Sequence, residues 1–214
     1  MPRTRLVRAP GRPLAETGID ARRALLEAAL AAFAEAGIAA SSTVAIARRA
    51  GLSPAMVQYY FGGRDALIEA VAAECMAPVL GQVLAPLDEQ LGPDQVLGAV
   101  VDRVFDCVEQ CPWLPPIWIR EIATEGGLLR EPLLERLPRS RILDFGRRLA
   151  QGCPPGRAPA PALAFLTVVG LSLFPLATRS LWQQLPGGEE ISLDQLRAHA
   201  IAVLSHGLVP GRQE

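Results

Sequence analysis

An all-α fold of about nine helices, with a helix-turn-helix unit near the N-terminus and a helical bundle behind it, follows from three features of the sequence. Apolar residues recur at three- and four-residue spacing, no segment alternates at the two-residue period of a strand, and residues 43–62, TVAIARRAGLSPAMVQYYFG, read as two short helices around one tight turn. Half of the 214 residues are apolar and a fifth are charged, as expected of a folded globular chain. The net charge of -1 hides an asymmetry: residues 1–64 hold nine Arg and four acidic residues, leaving the remainder acidic. A basic first third suits phosphate attraction, which needs a local cationic face.

Residues 1–18 are expected to form a flexible basic arm, because the Pro and Gly of RAPGRP oppose a helix. Arg3, Arg5, Arg8 and Arg12 could reach a nucleic-acid backbone, and PGRP resembles the minor-groove tip of an AT-hook; a merely solvated terminus fits equally. A helix should run from Asp20 to Ala36 on the stripe Leu25, Leu26, Ala29, Leu30 and Phe33, with Gly37 as its stop. Ser42 can cap the next helix, placing Thr43 and the first-turn amides where a phosphate could sit. Gly51 permits the positive φ of the turn, Ser53 is placed to cap and Pro54 to begin a third helix over 54–60, and Ile46, Ala47, Ala50, Leu52, Val57 and Tyr60 should face inward. Arg64 and Asp65 open a fourth helix that continues past Cys75 until Pro78 or Pro86 bends or ends it.

The run from Leu25 to Val71, with FAEAG, IARRAG, a short helix ending YYF and then GRDALIEAV, resembles the DNA-binding domain of the TetR family of bacterial transcriptional regulators. The resemblance implies that the third helix enters the major groove. Pro54, Ala55, Met56, Gln58 and Tyr59 would then meet bases or phosphates, and Thr43, Tyr60 and Arg64 the backbone. Two positions depart from the family pattern: Gln58 stands where Tyr is usual and Arg64 where Lys is usual. An amide can pair with adenine or make a single phosphate or water contact, and both roles are open for Gln58.

From 65 onward the chain reads as a helical ligand-binding and dimerisation domain, following a head at 19–64. Helices are expected over 93–111, 113–124, 130–151 with a break at Pro138, 160–183 and 192–207. The fourth of these regions is uncharged between Arg157 and Arg179, but Pro159, Pro161 and Pro175 favour a buried helix over a membrane span. It is apolar all round, so Val168, Leu171 and Phe174, with Leu196 and Val203 of the last helix, are candidates for a homodimer interface, as the resemblance also implies. Phe105, Trp113, Trp118, Phe145 and Phe165 are candidate pocket walls or simply core, and Arg120 with Glu121 a candidate polar anchor.

No cofactor, metal site or enzymatic constellation is expected. His199 and His206 are the only histidines, no glycine-rich phosphate loop occurs, and Cys75, Cys107, Cys111 and Cys153 lack zinc-knuckle spacing. No apolar run follows the N-terminal arginines, so no secretory signal is expected and the location should be cytoplasmic. The chain is thus expected to be a homodimeric repressor, released from a near-palindromic double-stranded operator by a small apolar effector of unknown identity. The alternative is a ligand-binding or thiol redox-sensing helical protein, with Cys107 and Cys111 four residues apart and little sequence-specific DNA binding.

Overall fold

The computed structural model describes residues 14–154 and 156–208, and among them every regular element is helical. Arg3, Arg5, Arg8 and Arg12 lie outside the described residues. The first helix, α1 (Leu14–Ala36), begins before the expected Asp20, since Leu14, Ala15 and Glu16 are good helix formers and a single Gly18 costs only about 1 kcal/mol. It ends at Gly37, whose φ of 81° only glycine adopts easily.

The Ser42 hydroxyl caps α2 (Thr43–Arg49), accepting from the Ala45 amide at 3.1 Å, and Gly51 turns the chain with φ 70°. Ser53 does not cap α3 (Ala55–Phe61) with its side chain. Pro54 already has helical dihedrals (φ -55°, ψ -30°), so Ser53 stands one residue outside and offers only its carbonyl, to Met56 N at 3.0 Å. Ile46, Ala47 and Val57 are buried between these helices, with Ala50, Leu52 and Tyr60 packed at the edge.

The fourth helix, α4 (Arg64–Val83), is continuous. Pro78 does not end it; the preceding residues Ala72–Met76 widen into a π turn, in which Ala77 N–H reaches back five residues to Ala72 O. A proline ring clashes with the carbonyl four residues earlier, and widening the coil just before it is one relief. By length and composition alone α4 could cross a membrane, yet Leu67, Ile68, Val71, Ala72, Met76, Val79, Leu80 and Val83 are buried within the fold.

After a 3-10 turn at Ala85–Asp88 come α5 (Pro93–Gln110) and α6, which joins Leu114–Ile117 to a π-helical continuation, Trp118–Ala123. Then follow α7 (Arg130–Glu135), α8 (Arg139–Gln151), α9 (Pro161–Ala177), α10 (Arg179–Trp182) and α11 (Leu193–Leu208). Pro138 separates α7 from α8 as expected. The break at Thr178, whose hydroxyl donates to Phe174 O at 2.8 Å, splits the expected 160–183 helix into two, one reason the described residues form eleven helices rather than about nine.

One contiguous core runs from Leu25 in α1 to Leu204 in α11, with Phe33, Phe105 and Phe145 among its largest fully buried side chains. It passes through α4, so the division between 64 and 65 falls in the first turn of a helix common to head and body. Helices α8 and α9 approach closely at Gly146, where an added Cβ would sit 2.4 Å from Pro161 Cα.

Candidate nucleic-acid interface and ligand cavity

The short helices α2 and α3 keep their polar residues at the surface because Ile46, Ala47 and Val57 fill the inward positions. Ser42, Ser53, Pro54, Ala55, Gln58, Tyr59 and Arg64 are exposed, while Thr43, Met56 and Tyr60 are half-buried. Tyr59 is 77% exposed and meets Tyr60 edge to face, with ring centroids 4.9 Å apart. An exposed phenol held by its neighbour's ring is available to a partner. Gln58 is engaged within its own helix, its Nε2 donating to Gly62 O at 3.0 Å and closing the α3 C-terminus. Arg64 donates through Nη2 to the carbonyl of Ile38, which leaves other guanidinium N–H groups for a phosphate.

Two ion pairs stiffen the head. Arg49 bonds both Glu35 oxygens at 2.6 Å, and this hydrogen bonding holds the Glu35 carboxyl below its ordinary range. Arg22 grips Glu74 on the π turn of α4, its Nη2 donating at 2.6 Å, and lies over the Phe61 ring at 4.8 Å from the centroid. The same hydrogen bond lowers the Glu74 pKa. Arg22 therefore ties α1, α3 and α4 together.

Arg120 and Glu121 do not face the cavity. Arg120 Nη1 donates to the carbonyls of Ala34 and Glu35, each at 3.0 Å, where α1 ends. Glu121, 6% exposed, accepts from Ile38 N at 2.8 Å and from Leu128 N at 3.2 Å. The polar pair inferred from sequence as a pocket anchor joins body to head instead. The chain can fold back over it because position 127 is Gly: a Cβ there would lie 2.3 Å from Glu121 O.

The opposite side of the same π turn lines an apolar cavity of about 560 Å³ between α6, α7, α8 and α9. Of the aromatic candidates, Trp118 and Phe165 line it. Phe105 and Phe145 are fully buried core, and Trp113 is half-buried and lines none of the larger hollows. Sequence reasoning missed Leu133, Leu134 and Leu137, whose LLERL run alternates inward and outward on a helix too short to show a period. A hollow of about 40 Å³ adjoins, sharing Trp118, Leu133, Val169 and Leu173 and reaching Met76 and Val79 of α4. The size and lining suit one small apolar molecule.

On α9, Val168 is fully buried in its own subunit and cannot meet another copy. Helical rotation places Leu163, Leu166 and Phe174 outside instead, each 58–60% exposed, and Val203 of α11 is 45% exposed. Leu171 and Leu196 line a shallow apolar hollow of about 370 Å³ at the foot of these helices. The Leu163 and Leu166 signal was their three- and four-residue spacing to Gly170 and Phe174.

Burial pushes the Cys75 thiol up to about 11 and raises Cys107 and Cys111 above the ordinary thiol value. Thiols so protonated are poor peroxide sensors, which tells against the redox alternative. Among the described residues no three His, Cys, Asp or Glu side chains gather to hold a metal ion.

Residues 25–71 match the family of bacterial regulatory proteins, tetR family. The HTH-type transcriptional regulator BetI 2 of Chromohalobacter salexigens is 30% identical over 118 residues, covering 54% of this chain and 56% of that one. The chain spans somewhat over half the length of this relative. Among solved structures, the transcriptional regulator FadR from Bacillus subtilis, in complex with stearoyl-CoA, superposes with a TM-score of 0.66 at 18% identity over 88% of this chain and 98% of that one. AibR, in complex with isovaleryl coenzyme A and operator DNA, gives 0.67 at 18% identity over 89% and 99%. At such identity these likenesses establish the fold.

Proposed function

We propose, from the match of residues 25–71 to the tetR family of bacterial regulatory proteins, that the protein is a dimeric, ligand-responsive transcriptional repressor. The head formed by α1, α2 and α3 would seat α3 in a major groove, with Tyr59 foremost and Ser42, Thr43, Tyr60 and Arg64 toward the phosphates. Two heads, brought together by the exposed apolar faces of α9 and α11, would occupy a near-palindromic operator, since a two-fold dimer matches a two-fold site.

The observation that carries this reading is the position of α6. One side of its π turn lines the cavity, and Arg120 and Glu121 on the same turn hold the end of α1 and the Ile38 amide. A molecule that fills the cavity therefore presses on the piece that positions the head. Coupling requires that it favour one head spacing over another. BetI 2 and FadR are transcriptional regulators, AibR was solved on operator DNA, and FadR and AibR were solved with acyl-CoA thioesters, which supports an apolar, chain-like effector.

Selection of bound sequences from random duplex DNA tests the proposal. A near-palindromic consensus with half-sites about one helical turn apart is expected. Uniform, strongly salt-dependent binding with no consensus would overturn it.

A further inference from the structure

The lining of the large cavity contains one charged residue, Arg130, at the start of α7. It is half-buried, and its guanidinium has no hydrogen-bond or ion-pair partner among the described residues. Arginines nearby are engaged or in water: Arg120 lies on the α1 carbonyls, Arg136 on Glu69 and Pro132 O, Arg141 on Asp88 and Leu84 O, Arg147 on Asp144 and Arg148 on Leu87 O, while Arg139, which has no side-chain partner among the described residues, is exposed and away from the cavity lining. A cation set against an apolar wall without a partner loses solvation and gains nothing in return. An anion delivered with an apolar body reverses both terms, because a guanidinium fork holds a carboxylate or phosphate through paired, charge-assisted bonds.

We propose that Arg130 is the anion-binding point of this cavity, so that the effector is an apolar chain bearing a carboxylate or phosphate head. The proposal rests on the cavity being the effector site. The chain would lie along Leu133, Val169 and Leu173, all at most 5% exposed, toward the small hollow against α4. Specificity then divides in two. Each methylene buried strengthens binding about four-fold until the cavity is full, whereas the head discriminates anions from neutral molecules of the same length.

The test uses the full chain and three probes: decanoate, decyl phosphate and methyl decanoate, with binding followed by calorimetry and by the fluorescence of Trp118. The anions should bind about ten-fold or more tightly than the ester, and the preferred anion identifies the head as carboxylate or phosphate. Arg130→Met, which breaks no side-chain hydrogen bond or ion pair among the described residues, should bring both anions down to the ester's affinity and leave the ester unchanged. Equal binding of anions and ester by the natural protein, or an equal loss of all three in Arg130→Met, would overturn the anion point alone. The cavity itself is tested by Leu166→Trp at its exposed rim, which should weaken all three probes. Unchanged binding there, or no binding of any probe to the natural protein, would overturn the cavity assignment and the anion point with it.

Discussion

The amide of Ile38 donates to Glu121 Oε1 at 2.8 Å across 83 residues of sequence, joining the turn after α1 to the π turn of α6. The second carboxylate oxygen takes Leu128 N, so one buried side chain satisfies two backbone donors from distant segments. Glu121→Ala leaves both amides without a partner and should cost about 2–4 kcal/mol in stability, measured by urea unfolding. It should also uncouple the sites: effector still binds, but releases DNA less completely. Release at the natural effector concentration in a folded Glu121→Ala protein would show that coupling runs elsewhere.

Two glycines in helices should respond to alanine with opposite signs. Gly146→Ala drives a methyl to within 2.4 Å of Pro161 and should destabilise the chain by about 1–3 kcal/mol, as α8 and α9 part. Gly98 in α5 has open space around its Cβ position, so Gly98→Ala should stabilise by about 0.5–1 kcal/mol through the unfolded chain's lost freedom. Thermal unfolding of the two variants side by side checks both signs.

Gln58 spends its amide on Gly62 O, which leaves it a capping residue in the free protein. Gln58→Ala should lower stability by about 0.5–1 kcal/mol and weaken all operator variants alike. Binding to a panel of singly substituted operators is the readout, and a reordering of that panel would assign the amide to a base.

The Cys75 pKa is raised, to about 11, chiefly by burial and then by the Glu74 charge. A raised pKa means that the folded state favours the protonated thiol. Stability from this group is therefore complete below the unfolded value near 9 and is lost as pH rises toward 11. Alkylation of Cys75 by iodoacetamide should be slow at pH 7.5 and accelerate steeply above pH 9, and micromolar peroxide should leave DNA binding intact. Rapid modification at neutral pH of Cys107 or Cys111, whose thiol pKa burial also raises, would restore the thiol-sensing alternative.

Leu163 is 60% exposed and lines none of the larger hollows, so Leu163→Glu should leave the subunit folded while opposing association. With Val203→Glu added, sedimentation should give a monomer whose operator affinity falls at least ten-fold. A dimer that survives both changes would place the interface on another face.

Much of the head was legible because its constraints are local. Gly37 and Gly51 take positive φ, Ser42 caps, and the apolar spacing of Leu25 to Phe33 gives the buried stripe of α1. The body was legible in its elements and much less in their facing. Val168 and Phe174 both sit on a helix apolar all round, and no periodicity says which turns inward; packing against α8 at Gly146 decides it. Arg120 and Glu121 were recognised as a polar pair among apolar neighbours, but their partners are backbone groups of the α1 end and its turn, which carry no side-chain signature. Arg130 left no local signal, since an unpaired cation is defined by what the rest of the fold fails to bring to it.

A core without a seam from Leu25 to Leu204 has a consequence for how the molecule melts and breaks. The two ends share α4, so neither has a surface of its own to close. Calorimetry should record a single cooperative transition, and a protease that cuts within α4 should yield no long-lived fragment from either side.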